Sequence, residues 1–94
     1  MQSKSIYKVP QGKLLKIFIE YNEKNRVINE IKITGDFFAY PEESIEILES
    51  KLENTKLEKE ILFKKISRII KENKIEFIGV DAAGLTKGIL MCLT

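Results

Sequence analysis

Residues 13–21 read KLLKIFIEY, and Leu15, Ile17, Ile19 and Tyr21 fall on one side of an extended chain while Leu14, Lys16, Phe18 and Glu20 fall on the other. This period of two predicts a strand with one fully apolar face. Residues 22–25 are polar and turn-prone, and residues 26–34 then read RVINEIKIT, with Val27, Ile31 and Ile33 sharing a face, so a β-hairpin is expected. Residues 5–9 are a third candidate strand, turned into the next by Pro10 and Gly12. The expectation is three antiparallel strands in chain order.

The period changes after Gly35. Pro41 followed by Glu42 and Glu43 reads as a first helical turn, because proline suits that position and acids suit the positive end of the helix dipole. Ile45, Leu48 and Leu52 continue at helical spacing until Asn54 breaks the pattern. Thr55 and Glu58 have capping-box spacing and predict a second helix to about Glu72, with Leu57, Ile61, Leu62, Ile66, Ile69 and Ile70 as its apolar stripe. Residues 75–80 read as a short extended link, and Asp81 as the cap of a last helix over residues 82–93, weakened by Gly84 and Gly88. The fold class is therefore α+β: a three-stranded antiparallel sheet with about three helices packed on one face, forming a single domain over residues 1–94.

Composition narrows the chemistry. Histidine is absent, which removes the commonest general base and metal ligand, and no GxxxxGK[ST] or GxGxxG phosphate loop occurs. No catalytic set and no metal site are expected. Cys92, the single cysteine, excludes an internal disulfide and reads as a buried structural thiol. The apolar ending Ile89, Leu90, Met91 and Leu93 serves either core packing or docking, and Glu42, Glu43, Glu46, Glu49 and Glu53 read as a solvated helix face. The net charge of +2 is uneven: residues 1–35 carry seven bases and three acids, the remainder nine and eleven. The sheet-forming half thus favours an anionic partner surface, although clustered arginines and interleaved aromatics are missing and nucleic acid is not an expected partner. No apolar run has the length of a signal peptide or membrane span, so a cytoplasmic location without membrane attachment is the expectation.

The least ordinary segment is Gly35-Asp36-Phe37-Phe38-Ala39-Tyr40-Pro41, with three aromatics in a strand-to-helix connection. Side chains there alternate in direction, so at least one ring should be exposed. Phe37 and Phe38 either plug the sheet edge, with Asp36 tying down nearby amides, or anchor a partner.

Two segments carry a family resemblance. Lys8-Val9-Pro10-Gln11-Gly12-Lys13-Leu14 resembles the K-x-P-G-G-K-L segment, and Gly35-Asp36-Phe37-Phe38-Ala39-Tyr40-Pro41-Glu42-Glu43 the S-G-D-F-F-x-x-P-E-E segment, of the accessory C-terminal domain of lipoate-protein ligases. The likeness is good over residues 6–52 and looser through the second helix to Ile78-Gly79-Val80, similar to the family's late turn before a last helix. Gln11 departs from the family's first glycine, and the tail GLTKGILMCLT from its acidic helix.

The resemblance implies a fold related to SufE/NifU-like iron–sulfur scaffold proteins. It also implies a non-catalytic accessory subunit of a two-part ligase, forming a heterodimer with a catalytic subunit that holds lipoate, ATP and magnesium and makes lipoyl-adenylate; this chain alone would bind no cofactor. Lipoyl-acceptor domains would be indirect partners. On this reading Asp36, Phe37, Phe38, Tyr40 and Pro41 lie at the partner interface, and Gly12 and Lys13 lie near the ligand, Lys13 as a base facing an anion. The competing function is sulfur transfer or cluster scaffolding, which calls for several cysteines.

Overall fold

A computed structural model describes residues 1–10 and 13–93. Three strands, β1 (Gln2–Lys8), β2 (Leu14–Asn22) and β3 (Val27–Gly35), form an antiparallel sheet in chain order. β1 begins three residues before the predicted strand and pairs along its whole length with β2, from Gln2 opposite Glu20 to Lys8 opposite Leu14. The β2–β3 turn is set by Asn22, whose side-chain oxygen accepts from the amides of Lys24 at 2.9 Å and Asn25 at 3.3 Å, while Arg26 takes a left-handed φ of 54°.

The predicted face of β3 is corrected at one end. Glu20 stands opposite Glu30 but Tyr21 stands opposite Ile28, so Asn29 is an extra residue that reverses the alternation. Ile28, not Val27, therefore enters the core beside Ile31 and Ile33, and Val27 is only half-buried. On β2 the alternation holds, with Leu15, Ile17 and Ile19 buried.

All three main helices lie on that apolar face. α1 (Ser44–Leu52) packs on β3, α3 (Ala82–Met91) packs on β1 and β2, and α2 (Lys59–Glu72) packs against α1 and α3. Leu48 and Leu52, Leu62, Ile66 and Ile69, and Leu85 and Ile89 are the buried stripes that meet the sheet residues in one core. Two side chains of β1 tie α3 down: Ser3 Oγ donates to the Cys92 carbonyl at 2.5 Å and Ser5 Oγ to the Gly88 carbonyl at 2.7 Å.

Two of the three predicted helix starts are revised. Pro41 precedes α1: its carbonyl accepts from the Ser44 amide and hydroxyl, and the first helical bond runs from the Ile47 amide to the Glu43 carbonyl. Thr55 does not cap α2. It is buried and gives its carbonyl to the Ile28 amide, Asn54 and Leu57 donate to Ile28 and Arg26, and α2 starts after Glu58 with no side-chain cap. The α1–α2 connection is thereby spent on covering the end of edge strand β3. Asp81 does cap α3, accepting from the Gly84 amide at 2.7 Å.

A second, two-stranded sheet was not predicted. Residues 38–40 form β4 (Phe38–Tyr40), which pairs antiparallel with β5 (Glu76–Ile78), within the segment read from sequence as a short extended link.

Candidate partner-docking site

The two motifs and the late turn meet at one corner, and glycine is what allows it. A β-carbon on Gly35, whose φ is 157°, would fall on the Leu14 carbonyl oxygen and within 3.1 Å of the Phe37 ring. Gly79, at a φ of 100°, lies against the Lys13 stem, and a side chain there would meet Lys13 Cγ at 3.1 Å and Phe37 Cβ at 3.4 Å. Lys13 from the first motif, Gly35 and Phe37 from the second and Gly79 from the last turn are therefore neighbours.

The β4–β5 ribbon displays side chains from this corner. Phe38 stands opposite Ile78 and Tyr40 opposite Glu76, so these four share one face, and Ala39 and Phe77 share the other. On the inner face Phe77 meets Phe37 edge-on, with ring centroids 6.0 Å apart at 65°, and both rings pack against the core. On the outer face Phe38, Tyr40 and Ile78 are 58%, 53% and 48% exposed. A monomer rarely shows adjacent large apolar side chains unless something else covers them.

The predicted site residues thus divide. Phe37 is the plug. Phe38 and Tyr40 are exposed in the manner of anchors, joined by Ile78, which the sequence reading missed. The missed signal was Glu76-Phe77-Ile78, a short β-prone run between Lys74, at φ 52°, and Gly79. Pro41 is exposed, and its contribution within the chain is the carbonyl that starts α1. Asp36 does not tie down amides: its own amide donates to the Leu14 carbonyl at 3.0 Å, and its exposed carboxylate has no hydrogen bond or ion pair among the described residues. Lys13 is likewise exposed and without an acidic partner among the described residues, while Gly12 lies outside them.

A cleft of about 420 Å³ runs beside the corner between Tyr7, Val9, Gly79, Val80 and Lys87, and the Lys87 ammonium sits 5.2 Å above the Tyr7 ring. Cys92, 3% exposed, caps the C-terminal end of α3, its Sγ 3.8 Å from the carbonyls of Ile17 and Gly88; burial pushes its thiol above the ordinary 9.0, opposed by a hydrogen bond with Ser5. A buried thiol with a raised pKa suits packing and not sulfur relay. Of the apolar ending, Ile89 is buried and Leu90, Met91 and Leu93 are half-buried. Among the described residues no helix is long and apolar enough to cross a membrane, and no cluster of three metal-ligating side chains occurs.

A chain from the solved structure of "a bi-partite lipoate protein ligase and its E2 lipoyl domain from Thermoplasma acidophilum", an archaeal lipoylation system, superimposes with a TM-score of 0.80 at 24% identity, over 95% of this chain and 94% of that one. At that identity the likeness establishes the fold. No curated protein matches. The family described as "Bacterial lipoate protein ligase C-terminus" matches residues 12–86, which takes in Lys13, the Gly35–Pro41 segment, the ribbon and the first half of α3. The chain therefore belongs to the lipoate protein ligase C-terminal family.

Proposed function

We propose that this protein is the accessory subunit of a two-part lipoate protein ligase, and that its β4–β5 ribbon docks onto the catalytic subunit. The observation that carries the reading is the outer face of the ribbon, where Phe38, Tyr40 and Ile78 stand exposed at the meeting point of the segments that mark the family. The end-to-end likeness to a chain of a bi-partite ligase supports the division of labour, and the absence of histidine fits a subunit that leaves the chemistry to its partner.

In this reading the catalytic subunit binds lipoate, ATP and magnesium in the cytoplasm and forms lipoyl-adenylate. Seated beside that site, the accessory subunit favours a closed arrangement of the partner's loops. Closure excludes water, which protects the mixed anhydride from hydrolysis and strengthens contacts to the departing pyrophosphate. Lys13, at the same corner as the ribbon, supplies positive charge on the side turned to the anionic intermediate.

The test is the affinity of the heterodimer, measured by calorimetric titration of this chain into the catalytic subunit. Replacing Phe38, Tyr40 and Ile78 together by serine is expected to weaken binding by a factor of about 30 or more, since even one central aromatic anchor contributes about 2 kcal/mol. Unchanged affinity would place the docking surface elsewhere.

A further inference from the structure

The two edges of the β1–β2–β3 sheet are finished differently. On β3 the outward backbone groups are taken up within the chain, at Ile28 by Asn54 and Thr55 and at Ile33 by Glu49. On β1 they are not. The backbones of Met1 and Tyr21 exchange both bonds and the Val9 amide donates to the Lys13 carbonyl, so the alternate residues between, Ser3, Ser5 and Tyr7, direct their amides and carbonyls to β2. Gln2, Lys4, Ile6 and Lys8 therefore turn theirs away from the sheet, and none of these groups has a partner among the described residues. The strand runs for seven residues without a bulge or a proline, two of the devices that ordinarily blunt an open edge.

We infer that an extended segment of the catalytic subunit adds to this edge as a fourth strand. The inference rests on the accessory-subunit reading and gives that same partner a second contact. An extended chain supplies in alternation the donors and acceptors that the β1 edge leaves unmet. The end of β1 also leads to the docking corner. Tyr7 and Val9 line the cleft of about 420 Å³ together with Gly79, which follows Ile78 of the ribbon, so one partner covers ribbon, cleft and edge without a gap. On the helix side of the sheet the added strand directs alternate side chains over that cleft, and on the solvent side the others meet Lys4, Ile6 and Lys8. Neither lysine has an ion pair among the described residues and Ile6 is 59% exposed, so acids opposite the lysines and an apolar residue opposite Ile6 complete the pairing. A second copy of this chain is a poor occupant. Antiparallel pairing of β1 with itself sets Lys4 and Lys8 against the same lysines, directly or on the diagonal.

The test is amide hydrogen exchange, read residue by residue by NMR, in the free chain and in its complex with the catalytic subunit. In the free chain the amides of Ser3, Ser5 and Tyr7 should exchange slowly and those of Lys4, Ile6 and Lys8 fast. Complex formation should slow the second set by about a hundredfold or more. A heterodimer that forms while Lys4, Ile6 and Lys8 still exchange fast would overturn the inference and leave the accessory reading standing. No heterodimer at all would remove both. Protection of these amides in the free chain that grows with its concentration would assign the edge to a second copy and also overturn it. Ile6→Pro gives a second readout, because it removes an outward donor and no bond to β2. Its urea midpoint should stay near that of the wild type while its affinity for the catalytic subunit falls by about tenfold or more. Unchanged affinity of the folded variant would overturn the inference, and the exchange pattern decides independently of whether the variant folds.

Discussion

Gly35 opens the family segment, and its requirement is steric. Any side chain would strike the Leu14 carbonyl of the adjoining strand, a backbone atom that cannot rotate away. Gly35→Ala is expected to cost about 2–4 kcal/mol, measured by urea unfolding, because strand β2 or the Phe37 plug has to move. Asp81 is the opposite kind of residue, one whose value lies in its side chain. Losing the bond to the Gly84 amide in Asp81→Ala should cost about 1 kcal/mol in the same assay. Cys92 gives a pH signature. Its folded pKa lies above the ordinary 9.0, so between the two values the unfolded chain releases a proton that the folded chain keeps. Its contribution is therefore fully present below that ordinary value and is lost as pH rises above it. The free energy of unfolding should fall more steeply with alkaline pH in the wild type than in Cys92→Ala, and parallel curves would show that the thiol does not ionise on unfolding.

Among the elements, β3 shows how an edge strand is protected in a small sheet. The α1–α2 connection bonds to its first residues, and farther along the Ile33 amide donates to Glu49 Oε2 at 2.7 Å. Glu49 belonged to the row of acids expected from sequence to be a solvated face; it is half-buried and hydrogen-bonded instead. Glu49→Ala should destabilise by about 1–2 kcal/mol in urea unfolding, and Glu46→Ala on the exposed side by much less. The difference marks where sequence reading stops. β2, the helices α2 and α3 and the Asp81 cap were legible, because each is a local pattern of period two, a helical stripe or a cap three residues ahead of its target. The bulge at Asn29, the backbone bonds of Thr55, the Glu49 contact and the β4–β5 pairing depend on segments distant along the chain, and no local period records them. Phe38 and Tyr40 were placed at a partner interface by the resemblance of their segment to the ligase accessory domain. Ile78 could join them only once its strand was seen to lie alongside.

At the scale of the whole molecule the parts sort by face. Helices fill one side of the sheet with core, the ribbon at the corner carries the aromatic patch, and β1 leaves its outer edge open. The most direct measurement is lipoate-dependent ATP–pyrophosphate exchange by the catalytic subunit, with and without this protein. The account predicts that exchange depends on adding the wild-type chain and is lost with the serine-substituted ribbon. Equal exchange in its absence would contradict the account.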